Sequence, residues 1–197
     1  MILQKRLRIS EILQVNKGIY LDYAASAPLC DRAKALLQKY YLDESSAFQA
    51  NPNSLHDAGR KAFSLLEDSR KKMSKLLGAN RPSEIVFCSG ATEANNSCQF
   101  GIGSLHDSSK LHLIISKIEH PSVYKAAEAL RSMGAKLDFV DVDFKGQVRA
   151  EQLEEILQSS DSEIKLVSIQ FVNSEIGVVQ DIANLANIVH AFPNSYF

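Results

Sequence analysis

Charge of either sign is scarcely in excess in this 197-residue chain: 22 Lys and Arg stand against 23 Asp and Glu, a formal net charge of −1. That balance excludes the basic footprint of non-specific nucleic-acid binding and any acidic tail. Cysteine is sparse. Cys30, Cys88 and Cys98 form no CxxC pair, and no histidine lies at zinc-ligand spacing, which argues against a disulfide framework or a structural metal and fits a reducing compartment. No stretch approaches the roughly 18 apolar residues of a membrane-spanning helix. Basic residues interrupt the apolar positions of MILQKRLRISEILQ, so no signal sequence is read there, and the expectation is a cytoplasmic chain without membrane contact. Repeats and low-complexity linkers are also missing. What remains is ordinary globular usage, 45% hydrophobic and 23% charged, in a chain long enough to bury roughly 70% of its unfolded surface. Length predicts one domain or somewhat more at about 150 residues each.

Helix and strand periods alternate. Helical spacing covers residues 31–42 and 55–77, the second stopped by Gly78; an apolar β-rich run at 84–88 (EIVFC) follows, then a helix at 92–100 after the Ser89-Gly90 turn. Strands are predicted at 111–115, 137–140 and 165–172, with helices at 122–133 (ended by Gly134), 150–157 and 181–190. Tyr196-Phe197 reads as the opening of a further strand. Apolar runs without alternation, separated by helices, indicate an α/β fold with a mostly parallel sheet flanked by helices. Such sheets bind ligands beyond the carboxyl ends of their strands, which directs attention to the loops after Cys88, Ser116 and Val172.

Cys88-Ser89-Gly90-Ala91-Thr92-Glu93 joins a strand to a helix start through small residues. Backbone N–H groups there, with the Thr92 hydroxyl, could cup an anion such as a phosphate; alternatively, Ser89 or Thr92 only caps the helix. His120, in Glu119-His120-Pro121, falls at the same sheet edge and could stack on a planar ligand or move protons, or merely pack as a loop histidine. Asn173-Ser174-Glu175-Ile176-Gly177 could hydrogen-bond a ligand ring substituent or simply form a turn. Asn51-Pro52-Asn53-Ser54-Leu55-His56 reads as a turn and helix cap, and Cys88 as a small core residue. No Ser-His-Asp order or carboxylate pair is legible.

Together these segments resemble the cysteine desulfurases. Ile19–Pro28 (IYLDYAASAP), Asn51–His56, Ser89–Asn96 (SGATEANN), Glu119–Val123 and Val172–Gly177 occur in that family's order. Cysteine desulfurases are class V aminotransferases of fold type I that use pyridoxal phosphate (PLP). The resemblance runs from Ile19 to Phe197, leaving residues 1–18 as an N-terminal extension. It implies the N-terminal part of the large domain, truncated before the Schiff-base lysine and without the small C-terminal domain. It also implies conversion of L-cysteine to L-alanine, with persulfide sulfur passed to an acceptor protein for Fe–S clusters or tRNA thiolation, in a homodimer. By motif, Ala91 and Thr92 would bind the PLP phosphate, His120 would stack on the ring and shuttle protons, and Ser174 would contact the PLP hydroxyl where the family has Asn. Serine is shorter and lacks the amide donor. The family's aspartate, lysine, arginine and persulfide cysteine have no counterparts here, Lys165 being the last lysine, so the chain is expected to be inactive alone. The alternatives are a non-catalytic, dimerising or partner-binding remnant, and a selenocysteine lyase or another class V relative.

Overall fold

The computed structural model describes residues 19–42, 49–105 and 107–197; the extension at 1–18 lies outside them. The chain divides into two units, residues 1–72 and 73–197. In the first, helix α1 (Asp31–Leu42) forms where the apolar spacing places it and buries none of its residues. Asn51 Oδ1 accepts the Asn53 N–H at 2.9 Å, and His56 Nδ1 accepts the Gly59 N–H at 3.2 Å. This segment is therefore the turn and cap it reads as, starting helix α2 (Asp57–Leu77), whose last turn belongs to the second unit.

The second unit continues with α3 (Ala91–Ser104), β1 (Leu111–Ser116), α4 (Pro121–Ser132), β2 (Lys136–Val140), α5 (Ala150–Gln158), β3 (Ile164–Ser168), α6 (Ile182–His190) and β4 (Ser195–Tyr196). The strands form one parallel sheet in the order β2-β1-β3-β4. All six residues of β1 are buried. Leu111, Leu113 and Ile115 join Val123, Ala127 and Leu130 of α4 on one face, while Ile114 packs with Leu153, Leu157, Leu185 and Val189 of α5 and α6 on the other. Coverage of both faces is why the strand reads as an unbroken apolar run. Each of its buried Leu and Ile side chains contributes about 1.5–3 kcal/mol of transfer free energy.

Glycines set two details. Gly134, at φ 108°, ends α4, with the Ala135 N–H donating to Leu130 O at 3.1 Å. At Gly103 a Cβ would lie 2.8 Å from Leu130 Cδ2, so α3 approaches α4 closely only because that position is bare.

Two strand predictions need correction. Glu84 closes a short 3₁₀ turn (Pro82–Glu84), and residues 85–88 join none of the four strands of the sheet. Both sides of β1 are taken by β2 and β3, so an added strand could pair only at an edge. Cys88 is accordingly half-buried rather than a core residue. The strand expected at 165–172 ends at Ser168, because residues 169–173 turn away into a loop held by side-chain hydrogen bonds.

At the amino end of β1 the sheet buries a histidine. His112 is fully enclosed; its Nε2–H donates to Asp138 Oδ2 at 2.9 Å, and Ser160 Oγ donates to Nδ1 at 2.7 Å, the tautomer following from a carboxylate's inability to donate. This Ser-His-Asp order, invisible in the sequence, ties β1, β2 and the loop before β3 at the edge opposite the candidate site. Burial, followed by the Lys136 charge, depresses the His112 pKa against the opposing pull of Asp138.

Candidate functional site

Two junctions lie at the carboxyl edge of the sheet, the start of α3 beside His120 and the loop after β3 beside Ile118 and Glu119. Helix α3 begins at Ala91 with Gly90 as N-cap and no side-chain cap. Its first intrahelical bond runs from the Ala94 N–H to Gly90 O, leaving the N–H groups of Ala91, Thr92 and Glu93 open. Neither Ser89 nor Thr92 caps the helix, contrary to the simpler sequence reading. Glu93 instead accepts the Ser89 N–H at 2.6 Å, and hydrogen bonds from the Ser89 hydroxyl and N–H hold its carboxyl below the usual range. A Cβ on Gly90 would meet nothing within 4 Å, so the space before the helix is clear.

His120 is the N-cap of α4, with Pro121 at the first helical position. Its Nδ1 accepts the Ser122 N–H at 3.1 Å and lies 2.8 Å from Ser122 Oγ. A ring nitrogen that accepts a backbone N–H is unprotonated, so the proton of the neutral ring sits on Nε2, the atom left for a ligand. Ser122 Oγ in turn accepts from Asn95 Nδ2 of α3 at 2.9 Å. The histidine therefore caps a helix, a role that neither sequence reading gave it, and still keeps one nitrogen unengaged.

Thr92 and His120 line a single groove of about 430 Å³ between α3 and α4, together with Asn96, Phe100 and Lys125. Lys125 brings a positive charge to it. Sequence reasoning assigned no role to Asn95 or Lys125; the signal for both was helical phase, one turn in from the starts of α3 and α4.

The loop after β3 is built on Asn173. This buried side chain donates from Nδ2 to Ile118 O at 3.1 Å, and its Oδ1 accepts the N–H groups of Glu175 and Ile176 at 2.8 and 3.0 Å. The turn reading is thus correct for Asn173, and it leaves Ser174 exposed beside it. Glu119, another residue without an assigned role, joins the loops after β1 and β3: its Oε1 accepts the Ser116 hydroxyl at 2.7 Å and the Gln170 N–H at 2.9 Å. Burial raises its pKa above the carboxylate norm, partly offset by those two donors. Lys165 plays no part at this edge; it stands at the start of β3 and its Nζ donates to Ser162 O at 2.9 Å.

An open helix start, a histidine with one nitrogen engaged and a nearby lysine suit a planar, phosphate-bearing ligand. The aminotransferase class-V family matches residues 19–197. The chain belongs to that family. A NifS/IcsS protein homolog of Lactobacillus delbrueckii subsp. bulgaricus is 36% identical over 179 residues, which is 91% of this chain and 44% of the relative. Cysteine desulfurase IscS 1 of Archaeoglobus fulgidus is 34% identical, covering 87% of this chain and 43% of that protein. Among solved structures, a NifS-like protein from Rickettsia africae superimposes with a TM-score of 0.74 at 32% identity, over 91% of this chain and 46% of its own. SspA in complex with cysteine gives 0.76 at 34% identity, over 88% of this chain and 48% of that one. The chain spans somewhat under half the length of these class-V relatives. Their names favour the cysteine desulfurase reading over the lyase and remnant alternatives, and family membership supports PLP as the cofactor. Among the described residues no helix is long and apolar enough to cross a membrane.

Proposed function

We propose that residues 19–197 are the N-terminal part of the cofactor-binding large domain of a cysteine desulfurase-type enzyme acting on L-cysteine. The observation that carries the proposal is the convergence of Thr92, at an uncapped helix start, with His120 in one groove.

The residues present fit PLP. The N–H groups of Ala91 and Thr92, with the Thr92 hydroxyl, would hold the phosphate at the positive end of α3. Lys125 would add charge, and the Ser174 hydroxyl would serve the cofactor's ring oxygen. Bound PLP supplies an electron sink for amino-acid chemistry. This chain's own contribution is to orient that group and to move a proton through His120 Nε2, the ring being fixed by Ser122 and Asn95. Removing substrate sulfur also needs a lysine, an aspartate and a nucleophilic cysteine at positions that Lys165, Cys30, Cys88 and Cys98 do not occupy. The sulfur-acceptor protein and a homodimeric assembly belong to the same proposal.

Supplying L-cysteine and PLP tests it. Alanine should form when the chain is combined with the part of the Archaeoglobus relative that it does not match, and not with the chain alone. Alanine from the chain alone, or the same yield after His120→Ala in the combined system, would overturn the assignment.

A further inference from the structure

Helices α3 and α4 are joined near their starts by a chain of polar groups that ends on His120. Asn95 Nδ2 lies 2.9 Å from Ser122 Oγ, Ser122 Oγ lies 2.8 Å from His120 Nδ1, and the Ser122 backbone N–H donates to the same nitrogen at 3.1 Å. Ser122 is 8% exposed, so its hydroxyl is largely shut off from water that could replace either neighbour. Asn95, one turn into α3, does not line the groove that holds Thr92 and His120.

A single placement of the hydrogens satisfies all three contacts. The backbone N–H can only donate, so Nδ1 is unprotonated. The 2.8 Å contact then needs the hydroxyl hydrogen of Ser122 on Nδ1, which leaves the Oγ lone pairs to Asn95 and sets the amide nitrogen, not the oxygen, against them. With the amide reversed, the hydroxyl would turn to the Asn95 oxygen, and Oγ and Nδ1 would face each other lone pair to lone pair. Amide orientation, hydroxyl rotor and histidine tautomer are one linked network.

We infer that Asn95 is a positioning residue that sets the polarity of His120. By donating to Ser122 Oγ it turns the hydroxyl hydrogen toward Nδ1 and keeps the ring proton on Nε2, so the histidine meets a bound ligand as a hydrogen-bond donor. With the relay reversed, Nδ1 would carry the proton and Nε2 would meet the ligand as an acceptor. The relay also ties the tautomer to α3, the helix whose start carries Thr92, so one element holds both the open N–H groups and the histidine's orientation. Its meaning for catalysis rests on the site reading above; the relay itself is a property of the chain without ligand.

Long-range proton–nitrogen NMR spectra of the full 197-residue chain, taken at alkaline pH where imidazole rings are neutral, report the tautomer of each histidine, with His120→Gln assigning the signal. The Nε2–H form should predominate. Asn95→Asp keeps the side chain's shape but offers Ser122 an acceptor in place of a donor, and the ratio of Nε2–H to Nδ1–H should fall about tenfold, the scale of one hydrogen bond. In a Ser122→Ala background the same substitution should leave the ratio unchanged, because the relay runs through the hydroxyl. A predominant Nδ1–H form in the wild type, an unchanged ratio in Asn95→Asp, or a response that persists without the Ser122 hydroxyl would each overturn the inference. If Asn95→Asp does not fold, Asn95→Leu removes the donor without adding charge; it should also lower the ratio, and an unchanged ratio there would be equally fatal. These spectra contain no PLP, so failure of the chain to bind PLP in calorimetry would count against the site reading and not against the relay.

Discussion

Replacing Glu119 separates the two roles of its carboxyl group. Oε1 takes hydrogen bonds from the Ser116 hydroxyl and the Gln170 N–H, and Ser116 is 1% exposed. Glu119→Ala strands these donors, a cost of about 1–3 kcal/mol. At about 2–4 °C per kcal/mol for a chain of this size, the unfolding midpoint should fall by about 2–12 °C. Glu119→Gln keeps an acceptor oxygen in place and removes the charge. Burial raises the pKa of Glu119 in the folded state, so the folded chain holds its proton to higher pH than the unfolded chain does. Stability therefore falls as pH rises from about 4.5 through the raised value, with a slope of at most about 1.4 kcal/mol per pH unit. Urea unfolding from pH 4.5 to 8 should show the glutamine variant gaining on the wild type as pH rises, with the alanine variant below both at pH 7. A glutamine variant as unstable as alanine at pH 7, or a wild-type difference that does not change with pH, would refute this account of the loop clamp.

The histidine at the opposite edge gives the reverse slope. With its pKa depressed by burial, His112 contributes stability that is present above about pH 6.5 and lost as pH falls; in a Glu119→Gln background, His112→Asn should remove that acid-side loss in urea titrations. Gly103→Ala should cost about 1–3 kcal/mol, because the added methyl runs into Leu130, itself packed at 1% exposure. The neighbouring Gly101→Ala meets nothing within 4 Å and should instead stabilise α3 by about 0.5–1 kcal/mol in the same melts. Thr92→Val should weaken binding of pyridoxal phosphate while leaving pyridoxal unaffected, as read by titration calorimetry.

The alternation of periods placed most helices and strands of the second unit within a few residues, most clearly at β1, which carries helices on both faces and reads as an apolar run. Residues 84–88 have the same composition yet join none of the four strands of the described sheet: composition reports that a segment can be buried as a strand, and pairing depends on which edges are free. Strand 165–172 was overextended for a related reason. Its last apolar residues, Phe171 and Val172, are exposed, because Asn173 and Glu119 pin the loop by contacts that span more than 50 residues and leave no local pattern. At the site, Thr92 and His120 were legible from their place after predicted strands. Asn95 was not, since its role is a hydrogen bond to Ser122 across two helices. The buried His112 was hidden for the same reason, its partners lying 26 and 48 residues away.

The central claim is that the start of α3 is a phosphate cup facing His120. Backbone amide shifts of the isolated chain, followed by NMR during titration with pyridoxal phosphate and separately with pyridoxal, test it most directly. The account predicts that the Ala91, Thr92 and Glu93 amides move with the phosphorylated compound and stay fixed with pyridoxal. Shifts confined to other segments, or identical shifts with both compounds, would contradict it.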